Sequence, residues 1–425
     1  MTINAMIDAT TTHSLKTLDN HSLSQKIIDC IHNYGAQPSP LCAYIYDLEA
    51  LANRIKTMKR CLPDNSQLFY AIKANAEPDI LSTLVDHVDG FEAASAGELN
   101  WLQAHQPNHP IIFGGPGKLT SDLQQAIQQQ IDTIHVESLV ELTRIATLSQ
   151  FLQLPVRIFL RMNIDIGDIG SSKLVMGGKP TPFGSDETHL KQALAIIGSS
   201  PFIEFCGFHF HLMSYQLSVK RHLLLMQRYI EVVKKWQQDY PALPSKLTIN
   251  VGGGIGIHYD QQPQHFEWEG FCHHLSSILT AHPQFTLRFE IGRFITAPCG
   301  YYVMEVLDIK KNLGEIFVIG HGGTHHFRTP AAQQHNHPFF IVPRSILKTQ
   351  ETEYHENIIE QAAITNTKAT IVGQLCTPKD ILAQDQWIEK LHIGDYLVFT
   401  LAGAYAWNIS HQNFLMHQPP NMIFL

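Results

Sequence analysis

The sequence predicts an α/β fold: an eight-stranded (β/α)8 barrel joined to a β-rich domain that is formed from both ends of the chain. Between residues 66 and 292, short β-branched or aromatic runs alternate with longer segments of helical periodicity. Eight such units within about 230 residues match a closed barrel, whereas a doubly wound sheet uses fewer strands and usually a G-x-G-x-x-G turn. The predicted barrel strands are LFYAI (68–72), GFEAA (90–94), IIF (111–113), TIHV (133–136), VRIFLRM (156–162), FCGFHFH (205–211), LTINV (247–251) and LRFEI (287–291).

The segments before and after this block lack the regular alternation of strand-like and helix-like stretches. One strand-like run, LCAYIYD (41–47), precedes the barrel, and several follow it: YYVMEVLDI (301–309), EIFVI (315–319), ATIVG (369–373) and YLVFTLA (396–402). Turn signals separate these runs, which is typical of a β-rich domain. We therefore expect a flexible tail over residues 1–20, a barrel over 48–295, and a β-rich domain built from 21–47 and 296–425.

Composition excludes several classes of protein. Only 16% of the 425 residues are charged, against roughly 25% in an average chain, and the formal net charge is −8. The sequence shows no basic stripe, so we expect no nucleic-acid partner. Seven cysteines form no C-x-x-C pair, and no apolar run is long enough to span a bilayer. These features predict a soluble cytoplasmic protein without a disulfide framework or a membrane segment.

Chemistry in a barrel of this kind takes place at the carboxyl ends of the strands. A lysine there can form a Schiff base, a glycine-rich turn with serine and arginine can hold a phosphate, and a carboxylate can keep a pyridine nitrogen protonated. A histidine can stack on a flat ring. Together these residue types indicate a pyridoxal 5'-phosphate site. The residues at the predicted strand ends are Lys73, Arg161, His211, Ser214, Gly252, Gly253, Gly254, Glu290 and Arg293.

The motifs around these residues resemble those of the barrel-type (fold type III) pyridoxal-phosphate-dependent decarboxylases, the diaminopimelate and ornithine decarboxylase family with its alanine racemase-like fold. Each motif alone is weak, but all occur in order and at compatible spacing. They are FYAIKAN around Lys73, FEAASAGEL (91–99), GFHFHLMS (207–214), GGGIG (252–256), EIGR (290–293), GQLCTPKD (373–380) and GAY (403–405).

The resemblance implies a role for each of these residues. Lys73 would form the Schiff base, His211 would stack on the cofactor ring, and Glu290 would bind the pyridine nitrogen. Arg161 would lie beside the ring oxygen or Glu290. The phosphate would be held by Ser214, Gly253, Gly254, Arg293 and Tyr405. In the family the GxLC cysteine, here Cys376, comes from the other subunit of a homodimer and donates a proton to Cα after CO2 leaves.

Three departures from the family pattern bear on the substrate. Met213 replaces the glycine that usually precedes the serine, and Thr377 stands where enzymes acting on diamino acids carry an acid for the distal ammonium group. Residues 171–184 and 320–344 are similar to decarboxylases of siderophore biosynthesis, which act on amino acids joined to citrate or a similar carboxylate. Predicted substrate-binding residues are Arg328 as a carboxylate anchor, Thr377 and Asp380, although an aspartate after Pro378 could equally cap a helix.

The leading hypothesis is therefore a pyridoxal-phosphate-dependent carboxy-lyase acting on an L-amino acid or a citrate-type conjugate, with active sites at a homodimer interface. Three alternatives stay open: a diamino-acid decarboxylase such as one for diaminopimelate, an amino-acid racemase, and a non-catalytic pyridoxal-phosphate-binding protein. Racemases of this fold place arginine at the pyridine nitrogen, so Glu290 favours decarboxylation. Of 25 histidines, five lie between His321 and His337 without zinc-site spacing, so we expect no metal there and interpret them as pocket lining or loop surface.

Overall fold

The computed structural model describes residues 23–167, 177–259, 265–344 and 363–425. The expected tail (1–20) and part of the 171–184 segment lie outside these residues. The strands are β1 (Cys42–Tyr46), β2 (Ser66–Ala71), β3 (Gly90–Ala93), β4 (Ile111–Phe113), β5 (Thr133–Val136), β6 (Val156–Arg161), β7 (Ile203–His209), β8 (Leu247–Gly252), β9 (Phe285–Ile291), β10 (Gly300–Asn312), β11 (Glu315–Gly320), β12 (Phe339–Val342), β13 (Ala363–Val372), β14 (Ile381–His392), β15 (Tyr396–Phe399) and β16 (Asn421–Phe424). The helices are α1 (Gln25–Gly35), α2 (Leu48–Cys61), α3 (Pro78–Leu84), α4 (Ala96–His105), α5 (Thr120–Gln128), α6 (Leu139–Leu152), α7 (Leu190–Gly198), α8 (Val219–Asp239), α9 (Trp268–Thr280), α10 (Arg293–Thr296) and α11 (Thr329–Gln333).

Strands β2 to β9 form a closed barrel in chain order, and every neighbouring pair is parallel. The barrel closes where β9 pairs with β2, with Phe69 opposite Glu290. Strands in such a barrel are buried on both faces, which explains why their sequences are nearly continuous apolar runs. The predicted eight-stranded barrel is confirmed.

Local sequence signals set the starts of several barrel helices. The hydroxyl of Ser95 accepts a hydrogen bond from the Glu98 backbone N–H at 3.1 Å, and Ser138 does the same for Glu141 at 3.1 Å. These side chains satisfy donors that the first helical turn leaves unpaired. The S-x-x-E pattern therefore explains part of the FEAASAGEL motif as a helix start. Trp236 in α8 and Trp268 in α9 are fully buried, as expected for helices that cover the barrel.

The second sheet runs in the order β12, β15, β10, β11, β13, β14. Strand β1 joins it through antiparallel pairing with β10 and lies parallel to β16 on its other side. Both ends of the chain therefore contribute to one β-rich sheet, which confirms that part of the predicted architecture. Helix α1 packs its apolar face, Ile27 and Ile31, in the core of this unit with Val303 and Val398.

The described residues divide into two compact units. The barrel unit contains 52–167, 177–257 and 265–295. The β-rich unit contains 23–51, 258–259, 296–344 and 363–425. Within the described residues, no helix combines the length and the apolar character needed to cross a membrane.

Candidate active site

Lys73 follows the carboxyl end of β2 and forms an ion pair with a buried acid. Its Nζ lies 2.8 and 3.0 Å from the two carboxylate oxygens of Glu92 in β3. The Lys73 side chain is 41% exposed, whereas the Glu92 side chain is only 4% exposed. The lysine is therefore accessible from the open end of the barrel and is held in place by the buried carboxylate. Sequence reasoning assigned no role to Glu92, although an acid inside the apolar run GFEAA was a signal.

Glu290 lies in β9 and is surrounded by neutral polar groups. The amide Nδ2 of Asn250 in β8 donates a hydrogen bond to Glu290 Oε1 at 2.7 Å. His135 Nδ1 lies 3.6 Å from Oε1, and His209 Nε2 lies 3.7 Å from Oε2. Because burial and nearby cations hold the pKa of both histidines well below 6.5, these imidazoles are neutral. No permanent cation contacts this carboxylate among the described residues.

The surroundings of Glu290 raise the pKa of its carboxyl group to about 7. Burial is the largest cause, and the negative charge of Glu92 adds to it. Lys73, the hydrogen bond from Asn250 and Arg161 act in the opposite direction. A carboxyl group whose pKa lies near 7 is suited to share a proton with a ring nitrogen.

The loop after β8 brings the backbone close to its neighbours at three consecutive glycines. Gly252 and Gly254 have φ of +65° and +79°, in the left-handed region. A Cβ on Gly252 would lie 2.2 Å from His211 Nδ1, one on Gly253 2.2 Å from the Glu290 carbonyl, and one on Gly254 2.3 Å from the Met213 carbonyl. Side chains are therefore excluded here, which leaves a backbone cradle of the kind that binds phosphate.

His211 adjoins this cradle. Its Nδ1 accepts a hydrogen bond from the Gly253 N–H at 3.3 Å, so the sequence-predicted stacking residue and the glycine loop contact each other. Burial lowers the pKa of His211 to about 3, with Arg161 and Lys73 contributing. A neutral imidazole can lie against an aromatic ring without adding a charge.

Arg161 ends β6 and is paired with an acid that the sequence analysis did not single out. Its guanidinium donates to Glu137 Oε1 at 2.7 Å and lies 4.8 Å from the centre of the Phe183 ring. The other Glu137 oxygen accepts from the Gly184 N–H at 2.8 Å. Arg161 is thus fixed at this end of the barrel, where it acts on the pKa of His211 and Glu290.

The remaining predicted barrel residues are Ser214 and Arg293, both half-buried. The Ser214 Cα would lie 3.7 Å from a Cβ placed on Gly254, which puts this serine against the glycine cradle. Arg293 begins α10 directly after β9.

The GQLCTPKD loop belongs to the β-rich unit, and Asp380 organises it. One Asp380 oxygen accepts from the backbone N–H and the hydroxyl of Thr324 at 2.6 and 2.7 Å. The other accepts from the Leu375 N–H at 2.9 Å. Asp380 is buried, whereas Cys376 is exposed. The aspartate therefore holds the loop that presents the cysteine.

The other predicted residues of the β-rich unit occupy loops. Arg328 is exposed at the start of α11, and its backbone N–H donates to Ser410 Oγ at 3.0 Å. Thr377 is half-buried beside Cys376. Tyr405 has a φ of +50°, and its carbonyl accepts from the Thr329 hydroxyl.

One group of described residues has ligand atoms close enough for a metal ion: His135, His209 and Glu290, whose atoms lie within 4.8 Å of one another. Lys118, Arg161, Arg288 and Lys73 all lower the pKa of His135 electrostatically. These cations oppose the binding of a further one. The prediction that the protein needs no metal stays a prediction.

These observations define a class: a barrel enzyme whose lysine, buried carboxylate and side-chain-free glycine loop suit pyridoxal 5'-phosphate. The amine fits the aldehyde, Glu290 fits the ring nitrogen, and the cradle fits the phosphate. Residues 48–297 match the family model for the pyridoxal-binding domain of pyridoxal-dependent decarboxylases. The chain belongs to this family, and its cofactor is pyridoxal 5'-phosphate.

Relatives with known activities agree with this assignment. The chain is 40% identical over 397 residues to 2-[(L-alanin-3-ylcarbamoyl)methyl]-2-hydroxybutanedioate decarboxylase of Staphylococcus aureus, covering 93% of this chain and 96% of the relative. It is 30% identical over 388 residues to a decarboxylase of an L-glutamyl acyl-carrier protein from Niallia circulans, covering 89% and 87%. The crystal structure of diaminopimelate decarboxylase from Helicobacter pylori complexed with L-lysine has a TM-score of 0.77 at 25% identity, with 92% and 93% covered. The predicted enzyme class, a carboxy-lyase, is confirmed.

Besides Glu137, four residues of the barrel site escaped the sequence reasoning as functional residues: Glu92, His135, His209 and Asn250. All four are buried polar residues inside barrel strands. Their only sequence signal was a polar residue within an apolar run.

Proposed function

We propose that the protein removes the α-carboxyl group of an L-amino acid unit that is amide-linked to a hydroxy-dicarboxylate, as a step in siderophore biosynthesis. The observation that carries this proposal is the 40% identity to the S. aureus enzyme across almost the whole chain, compared with 25% to the diaminopimelate decarboxylase structure. Thr377 supports it, because a threonine offers no negative charge to a distal ammonium group. The name of the S. aureus enzyme describes an alanine unit joined through its C3 to a carbamoyl group on a hydroxybutanedioate.

Within the barrel, Lys73 and Glu92 prepare the binding of the cofactor. A lysine must be neutral to bond to an aldehyde, and the Glu92 carboxylate lies within hydrogen-bonding distance of Nζ to accept its proton. Glu290 would provide the negative charge that keeps the ring nitrogen of the bound cofactor protonated. The chemistry that pyridoxal phosphate supplies when bound is an electron sink for the bond pair left at Cα.

Cys376 is the proposed proton donor to Cα once CO2 has left. Its exposed position on a loop held by Asp380 is suited to a group that must reach a substrate. We propose that this loop acts in the site of a second copy of the chain, in a homodimer. Asp380 would then act by positioning the loop rather than by touching substrate, while Arg328 and Thr377 remain candidates for substrate contact.

Two further features of the proposal concern partners and location. All seven cysteines are free, which supports a reducing compartment such as the cytoplasm. The net charge of −8 supports the expectation that no nucleic acid binds.

A CO2-release assay tests the proposed substrate. Purified protein loaded with pyridoxal phosphate is given the hydroxybutanedioate conjugate of L-2,3-diaminopropionate, free L-2,3-diaminopropionate and meso-diaminopimelate. We expect the conjugate to be decarboxylated with a kcat/KM at least about 100-fold above either free diamino acid. Preferred turnover of diaminopimelate would overturn the substrate assignment, and inversion at Cα without CO2 release would indicate a racemase.

Covalent trapping tests the role of Lys73. Borohydride reduction of the loaded protein should fix the cofactor on Lys73, as read by peptide mass spectrometry. The Lys73→Ala variant should lose both the label and the visible absorption. A label on another lysine would show that this assignment is wrong.

A further inference from the structure

Four histidines of the β-rich unit form a compact cluster that the proposed mechanism does not use. His321 directly follows β11, His325 and His326 lie in the next turn, and His417 comes from the segment before β16. The ring centres of His325 and His326 are 3.8 Å apart, and those of His325 and His417 are 4.8 Å apart. This cluster therefore concentrates imidazoles at one place in the unit.

His325 is the unusual member of the cluster. It is fully buried, and neither ring nitrogen has a hydrogen-bond partner among the described residues. One ring nitrogen of an imidazole always carries a proton, so a buried N–H is left without an acceptor, which is costly. His326 beside it is satisfied: Nε2 bonds to the Gln418 carbonyl at 3.0 Å and Nδ1 to the Tyr302 hydroxyl at 3.3 Å.

His417 offers a second donor with a defined direction. The Gly322 N–H donates to Gln374 Oε1 at 2.9 Å, which orients the amide so that Nε2 donates to His417 Nδ1 at 2.6 Å. Because Nδ1 accepts this bond, the proton of neutral His417 resides on Nε2. His325 and His417 therefore each carry an N–H donor, on rings whose centres are 4.8 Å apart.

The cluster lacks negative charge. Burial lowers the pKa of His325 to about 4, and the positive forms of His417 and His321 lower it further. No carboxylate contributes to that pKa among the described residues. Asp380, the acid bonded to neighbouring Thr324, already accepts bonds from Thr324 and Leu375. A carboxylate ligand would supply the acceptor that the His325 N–H lacks.

The cluster is connected to the loop of the proposed proton donor. Gln374 also donates its backbone N–H to the Gly322 carbonyl at 2.8 Å, and it precedes Cys376 by two residues. Two residues of chain span at most roughly 7 Å, and this loop is bent. In the proposed substrate, five bonds separate Cα from the carbon that carries the hydroxyl, a span of roughly 6 Å. A thiol near Cα would therefore leave the dicarboxylate within reach of the cluster.

We infer that His325 and His417, oriented by Gln374, form the subsite that binds the carboxylates of the hydroxy-dicarboxylate half of the substrate. The inference rests on the proposed function, whose substrate it explains at the level of residues. It also gives two of the 25 histidines a chemical role. His321 precedes these residues in the chain, and its Nδ1 is bonded to the Pro40 carbonyl at 2.9 Å.

Citrate binding to the cofactor-loaded protein provides the first test. Calorimetry is done with the unmodified protein, His325→Leu, His417→Leu, and His411→Leu as a matched control, because His411 is an exposed histidine of the same unit. We expect each cluster variant to weaken citrate binding about tenfold or more, while the control stays within about twofold. Citrate that does not bind, or binds equally to all four proteins, would overturn the inference.

Steady-state kinetics with the conjugate provide the second test. The Leu variants should raise KM about tenfold with kcat nearly unchanged, because the lost contacts are made equally in ground and transition states. His325→Gln and His417→Gln retain an N–H donor and should recover part of the affinity.

Unchanged KM in both Leu variants would contradict the subsite while leaving the proposed function intact. Conversely, the protein could bind citrate through the cluster and yet fail to decarboxylate the conjugate. That result would contradict only the proposed function. Should buried His325→Leu fail to retain the cofactor absorption, the less buried His417→Leu decides the question.

Discussion

Asn250 connects the two halves of the candidate cofactor site. Its Nδ2 donates to Glu290 Oε1 at 2.7 Å and lies 3.2 Å from His135 Nε2, while its Oδ1 accepts from the Gly252 N–H at 2.9 Å. One buried side chain therefore sets the position of the ring-nitrogen carboxylate relative to the glycine cradle. Because its amide donates to His135 Nε2, the His135 proton lies on Nδ1, the atom that faces Glu290.

Substitution of Asn250 should loosen the cofactor site. Asn250→Leu removes all three hydrogen bonds, and we expect the dissociation constant for pyridoxal phosphate to rise about tenfold or more. Asn250→Asp keeps the acceptor for Gly252 but faces Glu290 with a second carboxylate, so it should shift the visible absorption maximum as well. Fluorescence titration and absorption spectra measure the two effects. Identical affinities and spectra in all three proteins would refute this role.

The raised pKa of Glu290 predicts how the stability of the cofactor-free protein depends on pH. With a folded-state pKa of about 7, against 4.5 when unperturbed, the folded state holds an extra proton between these pH values, so stability falls as pH rises through this window. The Glu290→Gln variant cannot ionise at this position, so it does not lose stability as the pH rises. Above pH 7.5 the variant should be more stable than the unmodified protein by on the order of 3 kcal/mol, and near pH 4.5 the difference should be small.

Urea denaturation at the two pH values measures this effect. A variant that is less stable than the unmodified protein at pH 8 would contradict the prediction. The same substitution should abolish decarboxylation, since it removes the counter-charge of the ring nitrogen.

At the residue scale, the sequence predicted the groups at strand ends better than those within strands. Lys73, His211, Glu290 and the three glycines lie next to recognisable turns, and the structure brings them to one end of the barrel. The inward position of Asn250 and of the two strand histidines depends on the register of neighbouring strands. That register is set by tertiary packing and is not contained in a local motif.

At the scale of secondary-structure elements, the β8 loop carries a testable requirement. Gly254 combines a φ of +79° with a Cβ position 2.3 Å from the Met213 carbonyl, so Gly254→Ala must distort the cradle. We expect a substantial loss of cofactor affinity and at least about 1–2 kcal/mol of stability. Gly117→Ala is the matched control, because nothing lies within 4 Å of its Cβ position. Thermal unfolding with and without pyridoxal phosphate measures both; equal shifts for the two variants would count against the cradle.

The elements that sequence reasoning missed share a physical cause. Helix α1 buries only a narrow stripe, and its sequence, QKIIDCIHNYG, is otherwise polar. Strand β14 alternates irregularly between buried and exposed residues, and the charged side chains of ILAQDQWIEKLH conceal it. Barrel strands are buried on both faces, so they were visible as apolar runs, whereas these surface elements depend on their partners.

At the scale of the whole molecule, the proposed homodimer predicts complementation. Lys73→Ala and Cys376→Ala should each be inactive alone, because each removes a group from every active site. When the two variants are mixed, dissociated and allowed to reassociate, half of the dimers contain one subunit of each variant. In each of these mixed dimers, one of the two active sites is intact. Activity should therefore recover to about one quarter of the unmodified level. The Cys376→Ala variant should retain the cofactor absorption when it is studied by itself, which shows that it is folded. A mixture that stays inactive would exclude the shared site.

The pairing of β1 with both β10 and β16 has a consequence for synthesis of the chain. Tyr46 lies opposite Phe424, so a strand made before the barrel waits for a segment that is made after the whole barrel. The barrel strands are contiguous in the chain and can associate while translation continues. During that interval the apolar residues of β1 lack their final neighbours, which leaves this strand open to mispairing.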